Sequence, residues 1–359
     1  MVNKHMPYDL KQMQSLPLAA KIIMTQQRIR QWYEHWEGKV YVSFSGGKDS
    51  TVLKHIVDSM YNDVPAVFVN TGLEYPEIQQ FVRSIKAGKY DCFNNDIEIT
   101  RPEMRFDEVI KRYGYPLFSK IVAYNIEYGR KALIRGDTEM FEHYVEGKRL
   151  NKKTGKTYYF MGLSKIAKKV FESEIPVSNK CCDVMKKDPA KKYEKQTGRK
   201  AFIGTLAQES SEREKWWLKH GCNGFTKKRP TSQPLSFWTE QDILQYLKKY
   251  DVPYCSVYGD IVPTSEEEQI EGQLATFDIL NDYQGTLLTT TGCNRTGCIF
   301  CMFGCHLEKE PNRFQRLKET HPRQYEYCIG GGEMVDGKWQ PSKEGLGLGK
   351  VLDYIGVKY

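Results

Sequence analysis

The residues of this chain best suited to chemistry lie in two groups, and the first is a short turn, Ser45-Gly46-Gly47-Lys48-Asp49-Ser50. Adjacent glycines let a backbone approach a ligand with no Cβ in the way. A helix starting just behind them presents free N–H groups and the positive end of its dipole, which together favour an anion. Hydroxyls, an ammonium and a carboxylate complete the turn. This composition predicts a cradle for phosphate or pyrophosphate. The spacing differs from the common nucleotide-triphosphate loop, which needs Gly, four residues and then Gly-Lys-Ser/Thr.

The second group is made of cysteines. Cys181 and Cys182 are adjacent, and Cys293, Cys298, Cys301 and Cys305 follow in Thr-Gly-Cys-Asn-Arg-Thr-Gly-Cys-Ile-Phe-Cys-Met-Phe-Gly-Cys-His. A Cys-x2-Cys turn brings both sulfurs to one side, so Cys298 and Cys301 suit a single metal. Four thiolates in a tetrahedral set suit zinc or an iron–sulfur cluster, and residue types alone leave both open. Cys92, Cys222, Cys255 and Cys328 stand alone and read as buried thiols.

Ser45 to Ser50 resembles the pyrophosphate loop of the ATP pyrophosphatase superfamily. Further segments, in order, resemble the adenylylsulfate and phosphoadenylylsulfate (PAPS) reductase family. They are Asn70-Thr71-Gly72 with Glu74-Tyr75-Pro76, Cys181-Cys182 with Lys186 and Pro189, and Gly204 through Glu209-Ser210-Ser211-Glu212-Arg213. Pro234-Leu235-Ser236-Phe237-Trp238-Thr239 and Gly297-Cys298-Ile299-Phe300-Cys301 complete the set, which spans about residues 38–305.

The resemblance implies a doubly wound parallel α/β fold of the adenine nucleotide α-hydrolase type. It implies ATP or a related adenylyl nucleotide with Mg²⁺. Ser45, Gly46, Gly47, Ser50 and Thr51 are then expected around the phosphates, with Lys48 as a counter-charge, Asp49 holding Mg²⁺ and Arg213 neutralising the α-phosphate or sulfate. Asn70, Thr71, Gly72, Glu74, Ser210 and Ser211 are expected nucleotide contacts, and Lys120 is a further candidate cation. In cluster-bearing relatives the two cysteine pairs hold a four-iron, four-sulfur cluster, which carries over to Cys181, Cys182, Cys298 and Cys301. Cys293 and Cys305 are alternates, zinc is the alternative metal, and Lys186 is a candidate counter-charge.

One departure matters for the reaction. The reductases carry a C-terminal Glu-Cys-Gly-Leu-His segment whose cysteine attacks sulfur, and nothing here matches it; Cys328 lies in Tyr-Glu-Tyr-Cys-Ile-Gly. The chain is similar in this respect to the pyrophosphatase-type subunits of DNA phosphorothioation systems. That resemblance implies adenylylation of an acceptor, release of pyrophosphate, and sulfur transfer from a donor protein. Sulfonucleotide reduction is the alternative activity, and a non-catalytic nucleotide-binding module with structural zinc is the alternative class.

These groups need elements to hold them. The β-branched and aromatic run from Val40 reads as a buried strand, and Asp49 to Met60 as a helix with Val52, Leu53, Ile56 and Val57 on one face. Pro17 to Trp36 reads as a helix. Strands are expected at 66–69, 96–100 and 200–205, with helices at 76–87 and 239–250, the last opened by a capping box of Thr239 and Asp242. Alternating strands and helices imply a parallel sheet with ligands at the carboxyl ends of its strands. Residues 106–179 break the alternation and read as a helical insertion with a turn at 151–157; a charged helix is expected at 311–327 and a last one near 350–355. The division expected is an N-terminal helical segment at 1–37, a nucleotide-binding domain at 38–280, and a cysteine-rich region at 281–359.

Composition sets the class. Apolar residues make up 40% and charged residues 27%, an ordinary balance for a globular chain with a real core. No run approaches the ~18 apolar residues of a membrane span and no signal-peptide pattern opens the chain, so a cytoplasmic protein without membrane contact is expected. In that compartment ten cysteines read as ligands or buried thiols rather than disulfides. The net charge of +8 is concentrated between Glu146 and Lys200, where 16 Lys/Arg meet 6 Asp/Glu, leaving the rest slightly acidic. Tyr144, Lys148, Arg149, Lys156, Tyr158 and Tyr159 interleave aromatic and basic side chains there. Nucleic acid is therefore a candidate partner of the 146–200 segment.

Overall fold

The computed structural model describes residues 4–264 and 287–359. The chain separates into two compact units: Met1–Asn70 with Glu74–Arg101 and Ala190–Thr296, and Thr71–Leu73 with Pro102–Pro189 and Gly297–Tyr359. The expected boundary at 280/281 lies outside the described residues. None of the described helices is long and apolar enough to cross a membrane.

The first unit is built on a sheet of strands β1 (Val40–Ser43), β2 (Ala66–Val69), β3 (Ile97–Thr100), β4 (Lys200–Ile203), β5 (Asn223–Gly224) and β6 (Thr231–Ser232). Their order is β3-β2-β1-β4-β6-β5, parallel except for the β5–β6 pair. Val40, Tyr41 and Val42 are all buried because both faces of a parallel sheet are covered. The chain runs outward from β1 through β2 to β3 and later returns on the other side of β1 as β4. The carboxyl ends of β1 and β4 therefore flank the point where strand order reverses, the place such sheets bind ligands.

Helix Lys48–Met60 buries Val52, Leu53, Ile56 and Val57, as its spacing predicts. Each such side chain contributes roughly 1.5–3 kcal/mol when removed from water. Helix Leu18–His35 sends Lys21 to Asp242, 2.7 Å away and buried with it. Asp242 also completes the capping box that opens helix Glu240–Lys249, accepting from the Thr239 N–H. One carboxylate thus ties two helices together.

The second unit differs from the expected helical insertion. It does hold helices Phe106–Tyr113, Lys120–Ile134 and Lys165–Phe171, but residues 148–159 form an antiparallel hairpin, Lys148–Leu150 with Thr157–Tyr159. The expected 311–327 helix is two helices, Arg313–Thr320 and Pro322–Ile329. Pro322 lacks the N–H that a continuing helix needs and its ring collides with the preceding turn. Helix Leu348–Tyr354 closes the chain near the expected place.

Between the first two of its helices, an extended segment ties distant parts of this unit together. Tyr115 forms a parallel bridge with Val177, and Phe118 does the same with Phe303. The Tyr115 N–H donates to the Pro176 carbonyl at 2.8 Å, and the Gly304 N–H to the Phe118 carbonyl at 2.7 Å. A Cβ on Gly114 would stand 2.5 Å from the Pro176 carbonyl carbon, so only glycine permits this approach. One side of the segment holds the residues just before Cys181, the other those just after Cys301.

Candidate functional site

The anion turn sits where β1 ends. Gly46 has φ 72°, and a Cβ there would stand 2.9 Å from Ile78 Cγ2, so the turn needs glycine for conformation and for space. Gly47 caps helix Lys48–Met60. Ser50 Oγ accepts from the Ser45 N–H at 3.2 Å and lies 3.0 Å from Ser45 Oγ, while Thr51 Oγ1 donates to the Gly47 carbonyl at 3.0 Å. From the end of β4, Gly204 lies against the turn: a Cβ there would stand 3.0 Å from both Asp49 O and Ser50 Cα.

Lys48, the expected phosphate counter-charge, has its ammonium held by protein groups. Its ammonium donates to Glu240 and, at 2.6 Å, to the Asn294 carbonyl. Its backbone N–H donates to the Tyr258 hydroxyl at 3.1 Å, and that hydroxyl is 2.5 Å from Thr296 Oγ1. Burial raises the Tyr258 pKa far above the usual phenol range, so the group stays a neutral hydroxyl. The first helical N–H is thereby occupied by a side chain.

Asp49 has one carboxylate oxygen, Oδ1, buried with no hydrogen-bond partner among the described residues. Burial pushes its pKa up, Lys48 opposes this, Glu240 adds to it, and Arg295 and Arg213 pull it down. An acceptor left bare in the interior costs about 1–3 kcal/mol unless something meets it. That atom fits the expected place for Mg²⁺, whose hard charge prefers carboxylate oxygen.

The arginines converge on one carboxylate. Arg213 meets Glu209, Arg295 Nη2 donates to Glu209 Oε1 at 2.8 Å, and the Leu206 N–H donates to Glu209 Oε2 at 3.1 Å. Burial lowers the Arg213 pKa, with Arg295 lowering it further and Asp49 raising it. Ser210 caps helix Ser211–His220 by accepting from the Arg213 N–H at 3.3 Å. Ser210 and Ser211 are both exposed, at the cap and the first turn of this helix.

The remaining expected contacts divide between the units. Asn70 and Glu74 belong to the first, and the Asn70 N–H donates to the Thr100 carbonyl at 2.9 Å. Thr71 and Gly72 belong to the second, where Thr71 Oγ1 accepts from the Leu73 N–H at 3.1 Å. Lys120 is the exposed first residue of its helix, also in the second unit. Glu209, Glu240, Tyr258, Asn294, Arg295 and Thr296 were not foreseen as parts of this turn. Only Glu209 carried a signal, as a member of the Glu-Ser-x-x-Arg segment Glu209–Arg213, and Arg295 was hidden between cysteines read as metal ligands.

The expected thiol quartet gathers within the second unit. The Cys181 thiol is buried, and its pKa is driven far up by burial and then by Cys298, Cys182 and Cys301, with Lys186 opposing. Cys301 is likewise raised by burial, with Arg313 and Lys186 opposing and Cys182 adding. The Cys301 N–H donates to the Cys298 carbonyl at 3.0 Å, which forms the turn of the Cys-x2-Cys pair. Among the described residues no three potential ligands have their donor atoms drawn in as a bound metal would hold them. The donor set itself, soft thiols in mutual electrostatic reach beside two cations, fits a cluster or zinc. Cys305 is buried in the same unit and pushed up to about 12. Cys293 lies in the first unit and acts on buried Cys255, which is pushed up to about 11.

Comparison with known proteins adds lineage. Residues 39–136 and 139–302 match the phosphoadenosine phosphosulfate reductase domain. An uncharacterized protein of Methanocaldococcus jannaschii, MJ0973, is 39% identical over 66 residues, covering 18% of this chain and 16% of that protein. The phosphoadenosine 5'-phosphosulfate reductase of Vibrio campbellii is 28% identical over 92 residues, covering 26% of this chain and 34% of its own. These matches span well under half of each relative's length. The crystal structure of a phosphoadenylyl-sulfate reductase from Candida auris, a phosphate complex, aligns with TM-score 0.36 and 14% identity, covering 64% of this chain and 82% of that one.

Proposed function

The chain belongs to the phosphoadenosine phosphosulfate reductase family, and from that premise we propose that it binds an adenylyl nucleotide at the Ser45–Ser50 turn and activates an acceptor for sulfur transfer. An acceptor oxygen attacks the α-phosphorus of ATP, the bond to the bridging oxygen breaks, and pyrophosphate leaves with the electron pair. A sulfur nucleophile from a donor protein then displaces AMP. The observation that carries this reading is the bare Asp49 carboxylate oxygen beside a glycine turn, at the point where strand order reverses.

Asp49 would hold Mg²⁺ against the phosphates. Gly46 and Gly47 keep Cβ atoms out of the approach, and Arg213 and Arg295 supply charge to the side where negative charge develops. Cys181, Cys182, Cys298 and Cys301 would hold a four-iron, four-sulfur cluster, which when bound supplies electron-transfer and sulfur-handling chemistry. Reduction of a sulfonucleotide would instead need an accessible thiol nucleophile. Cys328 is fully buried, with burial raising its pKa far up, and Cys305 is buried too; Cys92, read from the sequence as buried, is exposed, yet desolvation raises its pKa as well. A thiol so placed is a poor thiolate at neutral pH.

The name of the Vibrio campbellii relative favours sulfonucleotide reduction as a second reading. Anaerobically purified protein given ATP and Mg²⁺ should release pyrophosphate, and Asp49→Asn should abolish that release. Sulfite release from a sulfonucleotide with a thiol donor, without pyrophosphate from ATP, would replace the first reading with the second.

A further inference from the structure

The second unit carries a hairpin that neither the nucleotide turn nor the thiols use. Its strands, Lys148–Leu150 and Thr157–Tyr159, set Lys148 opposite Tyr159 and Arg149 opposite Tyr158. Asn151 builds the tip: its side-chain oxygen accepts from the N–H groups of Lys153 at 2.9 Å and Thr154 at 3.3 Å. Gly155, at φ 64°, turns the chain back. The base is pinched. A Cβ on Gly147 would stand 2.2 Å from the Phe160 carbonyl oxygen, and one on Gly162 would stand 2.8 Å from that of Val145.

What this projection displays is unusual for a surface. Leu150, Tyr158, Tyr159, Phe160 and Met161 are exposed by 47, 53, 75, 43 and 91%. Apolar side chains grouped in this way mark a place where something docks. From Gly147 to Met161 there is no acidic residue, while Lys148, Arg149, Lys152, Lys153 and Lys156 are cationic. Lys152 pairs with Glu139 at 2.7 Å; among the described residues no carboxylate pairs with Arg149, Lys153 or Lys156. One face opens into a groove of about 810 Å³ lined by Glu139, His143, Arg149, Lys152, Lys153, Tyr158 and Phe160, with the Glu139 carboxylate taken up by Lys152. The His143 ring meets Phe160 at 5.1 Å between centroids.

Charge complementarity selects the partner. With Glu139 taken up by Lys152, the charges of Arg149, Lys153 and Lys156 call for a polyanion, and the exposed rings beside them call for flat faces to stack on. A strand of unpaired nucleotides supplies both, phosphates outside and bases free. A duplex keeps its bases stacked inside, where Tyr158 and Phe160 cannot reach them without distorting it. An acidic peptide satisfies the cations and leaves the rings without stacking partners.

We propose that this hairpin groove docks single-stranded nucleic acid, with Tyr158 and Phe160 stacking on bases and Arg149, Lys153 and Lys156 holding phosphates. The proposal deepens the function above by naming the class of acceptor. Binding needs no turnover, so it is measured without ATP, and its failure would leave pyrophosphate release standing.

Fluorescence anisotropy of the full chain with labelled single-stranded DNA, single-stranded RNA and duplex DNA of about 20 nucleotides tests it. At least one single strand should bind about tenfold tighter than duplex, and the DNA and RNA arms identify which. Tyr158→Ala with Phe160→Ala should weaken that binding at least about tenfold. Arg149→Gln, Lys153→Gln and Lys156→Gln together should weaken it and lower the log–log salt slope by about 2. Thermal melts must show both variants folded. Dissociation constants above about 100 μM for every strand would overturn the proposal. Duplex binding as tight as single-strand binding, or an aromatic variant that binds as wild type, would overturn it as well. So would self-association of the chain that the aromatic variant abolishes.

Discussion

The Lys48 ammonium, the one cation inside the glycine turn, is bound to the Glu240 carboxylate at the start of helix Glu240–Lys249. The Lys48 side chain is 6% exposed and that of Glu240 45%, so the lysine is the desolvated partner. Its charge supports the fold around the turn before any nucleotide arrives. Lys48→Met should therefore lower the stability of the nucleotide-free protein by about 1–3 kcal/mol, because the Asn294 carbonyl and Glu240 both lose a donor. Urea unfolding without nucleotide reads this directly. A lysine that met only phosphates would leave the unfolding midpoint unchanged.

Gly204 lies 3.0 Å, measured from an ideal Cβ, from backbone atoms of Asp49 and Ser50. Backbone at the start of a helix cannot swing aside as the end of a long side chain can. Gly204→Ala should cost about 1–3 kcal/mol in stability and displace the turn. Calorimetric titration with ATP and Mg²⁺ should show roughly tenfold weaker binding, equivalent to about 1.4 kcal/mol. Wild-type affinity in this variant would separate Gly204 from the nucleotide site.

The cysteines divide by unit. Cys181, Cys182, Cys298 and Cys301 act on one another within the second unit, while Cys293 has Cys255 as its neighbour in the first. Serine substitution at any of the four should remove most of the iron and acid-labile sulfide, or the zinc, from anaerobically purified protein. Cys293→Ser and Cys305→Ala should retain the metal. Loss of metal in Cys293→Ser, with retention in Cys182→Ser, would reassign the ligands.

His55 offers a pH test of packing between helices Lys48–Met60 and Glu240–Lys249. Its Nδ1 is 2.9 Å from the Tyr246 hydroxyl, and burial holds its pKa below the ordinary 6.5. Between that depressed value and 6.5 the unfolded chain binds more protons than the folded one. Stability from His55 is therefore fully present above pH 6.5 and is lost as pH falls through the window below it. Relative to His55→Phe, wild type should lose up to about 1.4 kcal/mol per pH unit in that window. Urea midpoints taken from neutral pH downward measure it, and parallel curves for the two proteins would sink the assignment.

Much of the first unit was legible in the chain because its signals are local. The apolar run at β1, the helical spacing of Val52, Leu53, Ile56 and Val57, and the Thr239–Asp242 capping box each lie within a few turns of backbone. Helices of this kind declare themselves by period, and buried parallel strands by a short unbroken apolar run. The two-residue strands β5 and β6 carried no period to read. The hairpin at 148–159 was visible only as a turn, because its strands are short and its apolar side chains face outward.

By itself the sequence determined the glycine turn, its place between a strand and a helix, and the chemical types of the thiols. Those follow from backbone freedom and from donor atoms, which residue identity specifies. The tertiary structure decided who meets whom. It turned Lys48 toward Glu240, joined Arg213 and Arg295 through Glu209, and assigned Cys293 to one unit and Cys298 to the other. Such pairings join residues tens to hundreds of positions apart, and they form only where the order of the strands in the first unit's sheet brings those residues together.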